Sequence, residues 1–425
     1  MLITMLLVFI ANILLGLPLF ISLITSALSG FLFVDPSLIP RMLPQQFFSG
    51  INSFSLMAIP LFILAGNLMN AAGLTPKLID LAKSLVGHLR GGLGYVNIVS
   101  GVFFAGVNGS AVADTSALGS LLVPAMKKEG YSPSYAAGLT AGSSLIGPII
   151  PPSIFMILYS SVTNTSVGDL FLAGIIPGLI LALAFMVMNF IYTRKANIPK
   201  SSTGIDLKVV FRCLIQAGPA LLAPIIIVCG IVFGIVTPTE SGVLIVIYTL
   251  LIGIVNRTLD LRKILSALKE TTQLSSAIFV IIAASSIVSW LLAYAQVPSH
   301  FAKLLTPFED DPVSVLLLIS LITFVTGMLM EEVSALMLLT PVFAPVALHA
   351  GVDPVHLGII ITMNITIALI TPPMGACVYV AAAVSKIEIT DLFKSIWPFV
   401  CVAVLVLLIL IFFPSLTLAI PDLFK

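Results

Sequence analysis

Two proline pairs constrain this chain more than any other feature. Pro151-Pro152 and Pro372-Pro373 each fall inside a long apolar segment, 372 − 151 = 221 residues apart. The first break reads Gly147-Pro148-Ile149-Ile150-Pro151-Pro152, and the second reads Thr371-Pro372-Pro373. Proline lacks a backbone donor and clashes with the preceding turn, so no continuous helix crosses either point. The surrounding segments, Tyr135 to Tyr159 and Leu357 to Val384, are still long enough to span a bilayer. A span unwound at its centre leaves carbonyls free at membrane depth. That is tolerated only where protein or a polar cavity surrounds them.

Lipid must be the solvent for much of the chain. Its 425 residues are 59% hydrophobic and 9% charged, with mean hydropathy +1.19. A soluble domain carries roughly 25% charged residues. At roughly 20 residues per helix, the apolar runs allow about ten membrane passes. The net charge of +1 implies no strongly charged partner, and no basic stripe with aromatics points to nucleic acid. Cys213, Cys229, Cys377 and Cys401 are dispersed, without metal-ligand spacing or a disulfide framework. The start is apolar from Leu2 onward and lacks a basic n-region and a cleavage site. It reads as a first membrane segment rather than a removable signal, with no soluble domain or extra four-helix segment expected.

The shift of 221 that relates the proline pairs also takes Gly106 to Gly327, Pro124 to Pro345, Gly130 to Gly351, Pro133 to Pro354 and Pro177 to Pro398. An ungapped shift of so many helix punctuators marks an internal repeat. Residues 1–205 are expected to form the first repeat, with a hairpin at 93–126 and a broken helix at 135–159. Residues 206–425 form the second, with a hairpin at 313–348 and a broken helix at 357–384. The remaining helices are scaffold. Each hairpin consists of two short apolar pieces around a small polar tip, Asn108-Gly109-Ser110 in the first and Gly327 to Glu332 in the second. The runs Leu2 to Val34 and Ala223 to Asn256 are interrupted at Gly16-Leu17-Pro18 and at Thr237-Pro238-Thr239-Glu240. Pro76 to Arg90 is amphipathic, with Leu78, Leu81, Ala82 and Leu85 on one face, and suits a helix lying in the interface. Arg257 to Glu270 is amphipathic and basic, and Ile278 to Ala295 is a separate span.

Charge sets orientation, because Lys- and Arg-rich short loops stay in the cytoplasm. Lys77, Lys83, Arg90, Lys127 and Lys128 put the base of the first hairpin inside. The loop holding Glu309, Asp310 and Asp311 has only Lys303, and His349 to His356 has no Lys or Arg, so the second base lies outside. The repeats therefore enter from opposite faces. Inverted repeats with paired hairpins and paired broken helices are the pattern of secondary transporters, with a site near the midplane. No nucleotide-binding loop occurs in the sequence, and no zinc motif or nucleophile–base pair suggests an enzyme.

Two regions could hold small cations through hard oxygen ligands. One joins the tip Asn108 to Ser110 to the break Gly147 to Pro152. The other joins Gly327 to Glu331 to Ala368 to Pro373, where Thr371 adds a hydroxyl and Asn364 lies two turns earlier. Kinks and small-residue packing are the structural alternative. The carboxylates inside apolar stretches are Asp114, Glu240, Glu331 and Glu332. Glu331 falls on Ser110 under the shift and is the candidate for function, the alternative being a tip residue in water. Asp114 and Glu240 sit where a helix N-terminus favours negative charge. His88, His300, His349 and His356 lie near interfaces, which argues against a histidine proton relay.

The run Gly109-Ser110-Ala111-Val112-Ala113-Asp114-Thr115-Ser116-Ala117-Leu118-Gly119, with Gly147 to Ser153 and Thr371-Pro372-Pro373-Met374-Gly375, resembles the large membrane subunit of tripartite ATP-independent periplasmic (TRAP) transporters. Pro60-Leu61-Phe62, Gly91-Gly92-Leu93 and Thr237 to Glu240 fit as well, so nearly the whole chain is covered. The resemblance implies an all-α polytopic membrane protein, an inverted-repeat elevator in which hairpins and broken helices slide against a scaffold. It implies a small four-helix membrane subunit, a periplasmic substrate-binding protein, and sodium-coupled uptake of an organic anion across the bacterial inner membrane, with two or more sodium ions. Carried over by motif, one sodium site uses Asn108, Ser110, Gly147, Ile150 and Pro152, mostly through backbone oxygens. The other uses Gly327, Ala368, Thr371 and Pro373, and substrate meets Ser110, Ser153 and Glu331, with Asn364 added as a substrate candidate from its place two turns before Thr371. Asn108 stands where many members have serine, and Glu331 where many have aspartate. Sialic acid, C4-dicarboxylates and other sugar acids are the family's substrates, and the Ser-Ala-Val-Ala-Asp-Thr run leans toward sialic acid. A stand-alone ion-coupled symporter or exchanger of related architecture is the alternative.

Overall fold

The computed structural model describes residues 1–198, 204, 206–300 and 311–424, except for the side chains of Val107 and Asn108. Glu309, Asp310 and Lys303 of the expected outer loop lie outside the described residues, as does Lys200 of the basic linker. Among the described residues helices account for the regular structure, and 8 of them are long and apolar enough to cross a membrane. Both arms of the second hairpin, 18 residues each, are among the 8, whereas the pieces of the broken helices and the helices within Leu2 to Val34 are shorter, at 10 to 17 residues.

The interruptions expected from Gly and Pro all become helix boundaries. The first apolar run splits into α1 (Leu2–Leu14) and α2 (Leu19–Val34), which pack on each other. They are followed by α3 (Ile39–Ile51) and α4 (Ala58–Ala71). The amphipathic segment forms α5 (Thr75–Val86), but it does not simply rest on lipid. Leu78, Leu81 and Ala82 are buried against α6 (Gly92–Asn108) and α11 (Leu207–Val232), while Leu85 is exposed. Thr237 caps α12 (Pro238–Val255) in a capping box with Glu240, so this intramembrane carboxylate serves the helix start. The expected break between Arg257–Glu270 and the following span is absent. Both belong to one helix, α13 (Leu261–Tyr294), capped by Asp260 and 34 residues long. No Gly or Pro stands between Leu261 and Tyr294 to divide it.

The remaining elements recur at the expected shift. The first set is α6, α7 (Ala111–Lys128), α8 (Pro133–Ser144), α9 (Ile154–Thr163) and α10 (Val167–Lys195). The second is α14 (Pro312–Leu329), α15 (Glu332–His349), α16 (Pro354–Ala368), α17 (Ala376–Ser385) and α18 (Ile389–Phe412), with α19 (Ser415–Phe424) closing the chain. Adding 221 to both ends of α7 gives both ends of α15, and adding it to the start of α8 gives the start of α16. Both Pro-Pro bonds are cis.

The two halves interlock. The hairpin arm α7 packs on α17, the helix after the second break, and α15 packs on α9, the helix after the first. Gly138 and Gly142 of α8 receive the ring of Phe399 from α18, where a Cβ would come within 2.9 Å. One large apolar core includes residues of both hairpins and both broken helices. A smaller separate core joins α1 and α2 to the far half of α13 through Met5, Phe31, Ala284 and Ile287.

Side-chain ties sort the helix ends into two groups. Arg90 donates to the Ile198 carbonyl at 2.8 Å, Tyr192 and Ser132 share a hydrogen bond, and Lys127 reaches the Ser385 carbonyl. The base of the first hairpin, the start of α8 and the ends of α10 and α17 thus lie at one end, with most of the lysines and arginines. At the other end Tyr159 donates to the Pro354 carbonyl, His356 meets Thr417, and Thr239 reaches the Phe54 carbonyl. The helix caps there are acidic: Asp35, Asp311 and Asp353.

Candidate functional site

The two broken helices unwind in the same way. After Ser144 the ladder tightens to i→i−3 bonds at Leu145, Ile146 and Gly147, and after Ala368 it does so at Leu369, Ile370 and Thr371. Prolines that cannot donate then stop the helix in each case. Ser153 restarts the chain as the N-cap of α9. In the second break the Leu369 carbonyl accepts from the Cys377 N–H, which closes the loop across its own prolines.

Each hairpin tip lies against the break of its own repeat. Gly109 is left-handed at φ +59°, and a Cβ there would come within 2.7 Å of the Pro152 carbonyl oxygen. Only glycine allows both the conformation and the approach. A Cβ on Gly147 would meet Asp114 Oδ2 at 2.6 Å, so the fully buried Asp114 carboxylate lies over the first break. On the second side a Cβ on Gly327 would meet the Ala368 methyl at 2.9 Å. Gly327, Ala368, Glu331 and Glu332 border a small pocket of about 110 Å³.

A cavity of about 550 Å³ lies between the tips. Ser110 and Glu331, the residues matched by the shift, both line it. The opposite wall comes from Asn67 and Asn70 of α4 and from α13 between Leu274 and Ile281. Asn67 is held by Thr271 at 3.1 Å, and Asn70 accepts from Thr75. Asn67 and Asn70 lie in the last turns of α4, next to α5 with Lys77 and Lys83, and Leu274 to Ile281 lie in the middle of α13. Toward the acidic end, α13 is closed against α15, with Ser289 reaching the Met337 carbonyl.

The expected site residues divide between cavity and support. Ser110 caps α7, accepting from Ala113 N–H at 3.4 Å, and Glu331 caps α15, accepting from Ser334 N–H at 3.0 Å. Ser153 and Asn364 do not border the cavity. Ser153 is fully buried and donates to the Pro148 carbonyl, holding the first break in shape. Asn364 is buried and donates to Ser320 at 3.0 Å, joining α16 to α14. Thr371 is buried and donates to the Ile367 carbonyl at 2.8 Å, which leaves its oxygen able to accept a cation. Ile150 seats its side chain on Gly178 of α10. The side chain of Asn108 lies outside the described residues, while its backbone ends α6 beside the Gly109–Pro152 contact. Asn67, Asn70 and Glu332 were not singled out as ligands from sequence. The two asparagines carry no repeat signal, and Glu332 is hidden in the pair with Glu331.

Residues 6–416 match the family model described as tripartite ATP-independent periplasmic transporter, DctM component. The chain is 39% identical over 413 residues to the sialic acid TRAP transporter large permease protein SiaM of Vibrio cholerae, a match that covers 96% of each. It is 35% identical over 402 residues to the isethionate TRAP transporter permease protein DctMQ of Oleidesulfovibrio alaskensis, covering 94% of this chain and 63% of that protein. Among solved structures, the YdaH transporter of Alcanivorax borkumensis superposes with a TM-score of 0.63 at 15% identity, over 89% of this chain and 88% of that one.

Proposed function

The chain belongs to the DctM component family of tripartite ATP-independent periplasmic transporters and is a multi-pass inner-membrane protein, and from this premise we propose that it carries an organic anion inward, driven by sodium. The observation that carries the reading is the meeting of both tips with both breaks around one cavity. Such paired breaks supply backbone and hydroxyl oxygens for cations near an anionic substrate. One sodium ion would sit among Asn108, Ser110, Gly147, Ile150 and Pro152, under the negative field of Asp114. A second would sit among Gly327, Ala368, Thr371 and Pro373. Substrate would meet Ser110 and Glu331 directly, with Ser153 and Asn364 holding the break and the hairpin arm that present them.

Two sodium ions per monoanion move net positive charge inward, and each charge gains about 2.3 kcal/mol per 100 mV of inside-negative potential. The interlocked hairpins and broken helices form the moving body. The helices α1 to α5 and α11 to α13 form the scaffold, and the halves 1–205 and 206–425 are inverted repeats that share both. Substrates named for the relatives, sialic acid and isethionate, are anions of different size, and the closer relative favours sialic acid. A small membrane subunit and a periplasmic binding protein would complete the system. The family description names a tripartite assembly, and the longer DctMQ relative has room for a further segment.

Uptake of labelled sialic acid into proteoliposomes tests the reading. With the small subunit and a sialic-acid-binding periplasmic protein present, uptake should rise sigmoidally with external sodium and speed up under an inside-negative potential. Uptake that is unchanged in potassium buffer would sink the sodium assignment. Vigorous uptake by this chain alone would favour the stand-alone carrier.

A further inference from the structure

The ionisable residues on the cavity wall are all of one kind. Of the described residues that line it, Glu331 and Glu332 are acidic, none is Lys, Arg or His, and the polar remainder is Asn67, Asn70, Ser110 and Ser116. Glu331 is committed to its own helix, where Oε2 accepts from the Ser334 N–H and hydroxyl at 3.0 and 3.2 Å. Glu332 begins α15 and is not part of that cap, yet it borders both the large cavity and the 110 Å³ pocket beside the second break.

We propose that Glu332 is a specificity determinant that excludes dianions and selects monoanions rich in hydroxyl or amide donors. The inference rests on the reading of this cavity as the substrate site. Ionised carboxylates only accept hydrogen bonds, so a ligand beside them must bring donors. A single substrate carboxylate can be balanced by the cations at the two breaks. The second carboxylate of a dicarboxylic acid has no base to meet and faces a like-charged pair instead. One unit charge several ångström away, at an effective dielectric near 20, disfavours it by about tenfold or more. A polyhydroxylated chain avoids that repulsion and gives its hydroxyl hydrogens to Glu332.

Competition for sodium-dependent binding of labelled sialic acid to the purified membrane subunits, with no periplasmic binding protein present, decides this. With the wild-type transporter, unlabelled sialic acid or gluconate should compete at least about tenfold better than succinate. In Glu332→Gln, which keeps the shape and removes the charge, that gap should narrow by about tenfold, and Glu332→Asp should restore it. Succinate competing as well as the hydroxylated monoacids in wild type overturns the proposal without any variant, as does an unchanged gap in a Glu332→Gln that binds the label. In either case sodium-dependent binding of the label survives. Loss of sodium-dependent binding in wild type would instead remove the functional reading, and this inference with it.

Discussion

The two hairpin tips occupy equivalent positions but handle charge in opposite ways. The first tip, Asn108-Gly109-Ser110, has no ionisable residue, and its carboxylate, Asp114, stands one turn into α7 and fully buried over Gly147. The second tip puts Glu331 and Glu332 at the very start of α15, on the cavity wall. The tips also differ in contact. Gly109 meets a backbone oxygen of its break, whereas Gly327 meets a methyl group. A buried carboxylate beside an unwound backbone would act strongly on a cation held there, because charge is little screened where protein excludes water. Carboxylates on a cavity wall act on whatever enters. On the proposed function, the first tip would hold an ion and the second would read a ligand.

The sharpest way to break this contrast is steric. Gly109→Ala forces a Cβ into the Pro152 carbonyl and strains a left-handed residue, so tip and break must part. A displacement of about 1 Å at a site can cost about a hundredfold in rate, and uptake should fall by about that much. Gly327→Ala meets the Ala368 Cβ, which moves only with its backbone, but it strains no left-handed residue, and should cost about tenfold less than Gly109→Ala. Gly130→Ala is the control, since that residue is also left-handed but has nothing within 4 Å. Equal losses at Gly109 and Gly130 would reduce the tip contact to backbone strain alone.

Charge removal comes next. Asp114→Asn should raise the sodium concentration for half-maximal uptake by about tenfold, the effect of one nearby unit charge, with little change in apparent affinity for sialic acid. Glu331→Gln should do the reverse, impairing substrate translocation more than sodium dependence. Measured sodium and substrate titrations that shift together in both variants would erase the division of labour between the tips.

Hydroxyl removal should have smaller effects. Ser110→Ala and Thr371→Val each delete one oxygen from a site that keeps its backbone ligands. A rise of about three- to fivefold in the sodium requirement is expected for each, on the scale of a single hydrogen-bond-sized contribution of about 1 kcal/mol. An unchanged sodium titration for Thr371→Val would mean that its bond to Ile367 is its whole role.

Much of this arrangement was legible in the sequence, because Gly and Pro punctuate helices by mechanism rather than by tendency. The ungapped shift of 221 located both hairpins and both breaks, and the ends of α7 and α15 agree with it to the residue. Glu240 followed Thr-Pro-Thr, and the capping box it forms is what that order dictates. Other features depend on packing, which carries no local signal. Pro76 to Arg90 has the face of an interfacial helix, but that face is covered by α6 and α11. Arg257 to Glu270 changes polarity without changing helical continuity, so polarity alone suggested a boundary where none exists. Ser153 and Asn364 sit in site motifs, but their hydroxyl and amide groups turn toward Pro148 and Ser320. Asn67 and Asn70 enter the site from a scaffold helix far away in sequence, a placement that only the tertiary fold reveals.

The smallest effect tests whether the two tips belong to one body. Lys127 ends the arm that leads away from the first tip, and its Nζ donates to the carbonyl of Ser385, at the end of the helix that follows the second break. The bond joins one repeat to the other and places a cation at two helix C-termini, where the carbonyl partial charges favour it. A hydrogen bond to a charged group contributes about 1.5–3 kcal/mol, and partial exposure of Lys127 puts this one at the lower end. Lys127→Met keeps the apolar stem and loses the bond. It should lower the unfolding midpoint in a fixed lipid mixture by a few degrees at most, and leave the sodium requirement unchanged because Lys127 touches neither tip. Lys128→Met, at the exposed neighbour, should do nothing measurable. If the two variants unfold alike, the tie between Lys127 and Ser385 contributes no stability, and the joining of the repeats rests on the apolar contact of α7 with α17, where Gly119 meets Val384.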